Sequence, residues 1–216
     1  IEFSSNSYLK NNDKDEPHCN FNDVLSTVND IIILSGTING LIGKLFVKGR
    51  IEEIEEIYSN LKKKFKNNFY IEIQRHGDEN EKTFEQFNLN LSKKLDIPII
   101  ATNEVFYISK DMHDAHDALI CIGNKTYLNE KNRVKYSNNH YLKSDNEMEK
   151  IFSDLPEALE NNYNLIYKCN FKPSFSKPVL PNISSDKGGN ADENLIEDSN
   201  LGLKEKFLKI FKIDEN

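Results

Sequence analysis

Two short polar runs in this sequence carry side chains able to hold a metal or move a proton. Glu72-Ile73-Gln74-Arg75-His76-Gly77 ends an alternating stretch, and Ala101-Thr102-Asn103-Glu104-Val105-Phe106-Tyr107 ends a continuous apolar one. Imidazole and carboxylate together suit zinc or manganese, so His76 and Glu104 are the candidate ligands. A third ligand could come from His113 or His116, which stand three apart and share a helix face. The plainer reading, a polar rim with hydrogen-bonded histidines, stays open. His18 and His140 stand in polar loops and receive no role. The sequence has no Gly-x-x-x-x-Gly-Lys-Ser loop, no Gly-x-Ser-x-Gly elbow and no Cys-x-x-Cys pair. A two-metal polymerase centre needs clustered carboxylates, and none is assigned here. The acidic stretch 192–198 reads as the solvated start of a helix.

Strands and helices must bring the two runs together. Ile31-Ile32-Ile33-Leu34 is a short apolar run ending at Ser35-Gly36, as expected of a strand buried on both faces. Ile51, Ile54, Ile57, Tyr58, Leu61 and Phe65 recur at helical spacing. Glutamates lie early in that helix, and Lys62, Lys63 and Lys64 lie late, which complements the helix dipole. These charges read as a solvated face. Phe69 to Gln74 alternates like a strand, Phe84, Phe87, Leu91 and Leu95 mark a second helix, and 98–102 is a third strand. Asp111 is the expected N-cap of a helix carrying Ala115, Leu119 and Ile122. The order strand, helix, strand, helix, strand, helix favours a parallel α/β sheet or barrel. In such folds functional groups gather at the C-terminal ends of strands. Ile33, Ile71, Ile73, Ile99 and Ile100 should then be buried on neighbouring parallel strands, with His76, Glu104 and the Asp111 helix start at one rim.

Beyond Gly123 an Asn- and Lys-rich loop runs to about Ser144. Two short helices are expected over 146–152 and 156–168. Pro173, Pro178 and Pro181 mark an extended connector, and 184–190, with Gly188-Gly189, a linker. A last helix over about 191–211 carries Leu195, Leu203, Phe207 and Phe211, with little in this chain to pack against. Residues 11–17 read as an exposed loop.

Composition limits the function classes. The 216 residues carry a net charge of -7, whereas duplex DNA-binding modules usually present a basic face. That balance argues against the segment gripping DNA by itself, yet leaves room for a local basic patch. Three scattered cysteines, Cys19, Cys121 and Cys169, form neither a disulfide framework nor a zinc ribbon. They are expected as small buried residues in a reducing, cytoplasmic setting. No apolar run reaches the ~20 residues of a membrane span, and no signal peptide is visible. The missing initiator Met suggests a fragment.

The ordered blocks of the chain resemble the polymerase-and-histidinol-phosphatase (PHP) domain of bacterial DNA polymerase III alpha subunits. They are Ile33-Leu34-Ser35-Gly36, the His76 and Glu104 runs, Ala115-His116-Asp117-Ala118-Leu119-Ile120-Cys121-Ile122, Tyr141-Leu142-Lys143-Ser144 and Pro156-Glu157-Ala158-Leu159-Glu160-Asn161. Lys168-Cys169-Asn170, Leu180-Pro181 and Ala191-Asp192-Glu193 continue the order. The resemblance implies an α/β fold: the C-terminal part of a partial (β/α)7-type PHP barrel with parallel strands over residues 1–172. A connector follows over 173–190, then a helical segment over 191–216 that starts the polymerase thumb and palm region. It implies a parent that performs template-directed DNA synthesis with magnesium at a palm site outside this chain. Partners would be other holoenzyme subunits, with the proofreading exonuclease subunit a candidate, and primer-template DNA. The fragment itself should lack polymerase activity. Metal-binding relatives carry Asp-x-His where this sequence has Glu104 and Phe106, and their opening His-x-His is not in this chain. His76 matches a ligand position. The resemblance therefore implies a degraded site with weak or absent zinc and manganese binding, and a structural, partner-docking role. The competing readings are a stand-alone PHP-superfamily metallophosphoesterase and a non-catalytic α/β interaction module.

Overall fold

The computed structural model describes residues 2–11, 16–27, 30–178 and 190–211. Residues 12–15 of the expected N-terminal loop, including Asp13-Lys14-Asp15, lie outside the described residues. So do Pro181, most of the 184–190 linker and the Phe211 side chain.

Strands β1 (Ile33–Leu34), β2 (Phe69–Ile73) and β3 (Ile99–Ala101) form a parallel sheet in the order β1-β2-β3. The register pairs Ile33 with Phe69, Ile71 with Ile99 and Ile73 with Ala101. Helix α4 (Ile51–Phe65) leads into β2, and α5 (Glu81–Leu95) leads into β3. Each helix presents an apolar stripe to the sheet: Ile54, Tyr58, Leu61 and Phe65 from α4, Phe84 and Leu91 from α5. Phe69, Ile71, Ile73, Ile99 and Ile100 are buried, each contributing about 2 kcal/mol of transfer free energy. The parallel strands and helices are those of a partial PHP barrel. Ile33 departs from expectation, being only half-buried. It lies on an edge strand of two residues with β2 on one side alone.

Three helices were not evident in the sequence. Helices α1 (Glu2–Leu9) and α2 (Phe21–Thr27) precede β1, and α3 (Leu41–Val47) follows it. Gly43 lies in α3 where a Cβ would overlap backbone atoms of Ile38, so the glycine lets the helix close against the preceding turn.

Beyond β3, α6 spans His113–Gly123, α7 Asp145–Ile151 and α8 Pro156–Lys168. Asp111 does not cap α6. It lies in a 3-10 turn, Lys110–Met112, and Met112 occupies the N-cap position without a side-chain bond. Leu119 and Ile122 of α6 are exposed, and Cys121 is the buried residue of that helix. The cysteines likewise split: Cys19 is half-buried, Cys121 buried and Cys169 exposed, all as free thiols. Helix α7 begins with a capping box between Ser144 and Glu147. Helix α8 lies along the outer edge of β3. There the side-chain amide of Asn161 donates to Ile99 O at 2.8 Å, and that of Asn162 donates to Ala101 O.

The chain divides into two compact units, Ile1–Asn170 and Phe171–Asn216. The second contains α9 (Ala191–Phe211), on which Leu195 and Leu203 are exposed. Among the described residues no helix is long and apolar enough to cross a membrane.

Candidate functional site

Both sequence-derived ligands follow the C-terminal ends of their strands, His76 after β2 and Glu104 after β3. The residue between them is His140, to which its polar sequence surroundings assign no role. Its ring is fully buried and stacks on His76 with centroids 4.0 Å apart and planes 3° from parallel. On its other flank, Nδ1 lies 3.8 Å from the Glu104 carboxylate.

Backbone pairing fixes His140 in place. Residues 106–107 and 140–142 run side by side, with Phe106 N donating to His140 O at 2.9 Å and Leu142 N to Tyr107 O at 3.0 Å. The Ser137 hydroxyl and the Asn139 amide both donate to His76 O, at 2.6 and 2.9 Å. The His76 loop is in turn held by Glu81, whose carboxylate accepts from the backbone N–H groups of His76 and Gly77. Gly77 takes a positive φ of 81°, a conformation that favours glycine. Burial alone would raise the Glu81 pKa. The hydrogen bonds from His76 and the two N–H groups outweigh it and hold the carboxyl below its ordinary value. Arg75 anchors the same loop, bonding Glu85, Asp154 and Ile151 O.

His76, Asp78 and His140 form a group of potential ligands whose atoms all lie within 4.8 Å of one another. His113 and His116 are not in it. His113 Nε2 donates to Tyr136 O at 3.1 Å, and His116 stacks on Phe106 at 5.2 Å. Phe106 stacks also on His140, at 5.0 Å.

The donor set has the right chemistry for zinc or manganese, but the arrangement does not suit one shared ion. Imidazole lone pairs lie in the ring plane, and two parallel stacked rings cannot aim them at a common point about 2.1 Å from each. The ring of His76 is also engaged: Nε2 lies 3.0 Å from Asn103 Oδ1, and Nδ1 lies 3.5 Å from Glu81. Asn103 Oδ1 accepts from Lys143 as well, at 2.8 Å. His140 is the polar group left over. Its Nδ1 must donate to Glu104 O, 3.3 Å away, so in the neutral ring Nε2 presents a lone pair. That atom is buried, has no hydrogen-bond partner among the described residues, and faces Asp78 Oδ2 at 3.5 Å. Burial, with His76 close by, depresses the His140 pKa. The neutral ring is thus the favoured form, with its Nε2 lone pair facing the Asp78 carboxylate.

The PHP domain family matches residues 1–76. The chain is 32% identical over 203 residues to DNA polymerase III subunit alpha of Caulobacter vibrioides, covering 94% of this chain and 18% of that protein. It is 36% identical over 185 residues to the subunit of the same name from Rickettsia bellii, covering 86% and 16%. With that of Borreliella burgdorferi it shares 37% over 153 residues, covering 70% and 13%. The chain therefore spans less than a fifth of the length of these relatives.

Proposed function

From its likeness to DNA polymerase III alpha subunits and the PHP domain match over residues 1–76, we propose that the chain is a structural, partner-docking part of a replicative polymerase. In this reading residues 1–172 are PHP-derived, 173–190 connect, and 191–216 begin the thumb and palm region. The parent protein joins nucleotides to a primer 3′-hydroxyl in the cytoplasm, with magnesium at carboxylates elsewhere. Its partners are the other holoenzyme subunits and primer-template DNA, and the chain by itself extends no primer.

The PHP rim in this reading is a remnant, not a nuclease. The observation that carries it is the parallel stack of His76 on His140, with Phe106 against the outer ring. Phe106 cannot ligate, and the stack holds two imidazoles in a packing arrangement. His76 and Glu104 are then former ligand positions flanking His140.

Metal analysis after dialysis tests this directly. The chain should retain little zinc or manganese, and Phe106→His should raise retention by supplying an imidazole beside His140. A stoichiometric, tightly held ion that disappears in His76→Ala would overturn the remnant reading and favour a working metallophosphoesterase.

A further inference from the structure

A second charged feature lies at the opposite end of the sheet from His76. Helices α4 and α5 each run directly into the start of a strand, so their C-termini meet at the N-terminal ends of β2 and β3. The C-terminus of α8 arrives at the same place, because Lys168 Nζ donates to Asn67 O at 2.9 Å and to the Tyr70 hydroxyl at 2.6 Å. The last turns bring Lys62, Lys63 and Lys64 from α4, Lys93 and Lys94 from α5, and Lys168 from α8. Among the described residues, Glu55 meets Lys94 at 2.7 Å and Asp96 meets Lys62 at 3.9 Å. A chain with net charge -7 thus reverses sign at this rim.

Lysines in a last helical turn offset the dipole of their own helix. That role does not require the lysines of three helices to line one opening. Lys62, Lys93 and Lys168 do so, around a cavity of about 460 Å³ whose wall includes the buried ring of Tyr70. Lys168 lies over that ring at 5.1 Å, which fixes its charge against the wall. Among the described residues the lining contains no arginine. Lysine acts as a point charge on phosphate, whereas bidentate carboxylate recognition favours arginine.

We propose that this N-terminal rim is a contact site for the phosphate backbone of a nucleic acid, separate from the His76 rim. The lysines would position a strand without reading its bases. Their placement does not depend on the His76 rim, so the remnant metal reading can fail while this site stands, and the reverse.

The test is fluorescence anisotropy of a labelled primer-template DNA with the chain, across a range of potassium chloride. The combined variant Lys62→Gln, Lys93→Gln, Lys168→Gln should weaken binding and flatten the plot of log affinity against log salt. The expected change in slope is about 0.9 for each duplex phosphate that is no longer neutralised, hence roughly 3 for three of them. Lys125→Gln with Lys131→Gln, exposed in the loop after α6, is the control and should leave the slope unchanged. Circular dichroism of each variant separates weakened binding from failed folding. Lys93→Gln alone, which leaves the hydrogen bonds of Lys168 intact, gives the smaller step of about 0.9. No binding by the unaltered chain, or an unchanged slope in the folded variant, overturns the proposal. Displacement of the DNA by stoichiometric inorganic phosphate would overturn it in favour of a small-anion pocket, and preference for an acidic peptide over DNA would overturn it in favour of a protein partner.

Discussion

Replacing Arg75 with methionine should destabilise the chain far more than a surface change. The guanidinium forms a two-point pair with Glu85, at 3.0 and 2.5 Å, and another with Asp154, at 2.6 and 2.9 Å. It also donates to Ile151 O at 2.6 Å and lies 4.8 Å from the centre of the Phe152 ring. The two pairs differ in worth. Asp154 is 62% exposed, so its pair contributes less than about 1 kcal/mol after screening. Glu85 is only 15% exposed, and removing its partner strands a desolvated carboxylate at a cost of about 3 kcal/mol. Methionine keeps the apolar stem over Phe152, so the lost charge dominates the outcome. Equilibrium urea unfolding followed by circular dichroism should show a midpoint lower by about 1.5 M at unchanged m, taking m near 2 kcal/mol/M. Adding Glu85→Met should recover most of the loss, because the stranded charge goes with it. A loss under about 1 kcal/mol, or no recovery in the double variant, would refute the burial argument.

Two further outcomes follow from local geometry. Gly43→Ala should cost about 3 kcal/mol, the upper end of overpacking, since its Cβ would overlap Ile38 backbone that cannot rotate away; thermal melting checks it, and an unshifted Tm would mean that α3 moves freely. Glu147 is held at about 2, well under its ordinary 4.5, by the Tyr141 hydroxyl and then the Ser144 backbone and hydroxyl. Between those values the unfolded chain binds the extra proton, so the stabilisation is complete above pH 4.5 and is lost as pH falls through about 2. Melting curves over that window should be shallower in pH for Glu147→Gln, and identical slopes would remove Glu147 as the cause.

The sequence disclosed those elements whose own residues carry a period. The apolar stripes of α4 and α5, the alternation in β2 and the proline start of α8 are local signals, and the structure follows them. Helix α3 was hidden because Gly36, Gly40 and Gly43 crowd its start and glycine disfavours helix, while its burial depends on Ile38 next to it. Leu119 and Ile122 had helical spacing yet face outward, since a period marks an apolar face and not what covers it. His140 was the largest omission. Its neighbours Asn138, Asn139 and Tyr141 give no local sign of burial, which arises from stacking on His76, 64 positions upstream by residue number, and from backbone pairing with the Phe106-Tyr107 segment. The nearest available signal was its place directly before the Tyr141-Leu142-Lys143-Ser144 block.

The amides that close the edge of β3 give the fold a chemical clock. Asn161 and Asn162 hold Ile99 O and Ala101 O by side-chain N–H groups. Deamidation of either residue would replace a donor with a carboxylate, leaving two acceptors face to face across the edge. Both carbonyls belong to buried residues covered by α8, so each would face a carboxylate without a donor, at a cost of about 1–3 kcal/mol. Ageing of these two side chains, with no change in the encoded sequence, would therefore loosen α8 from the sheet.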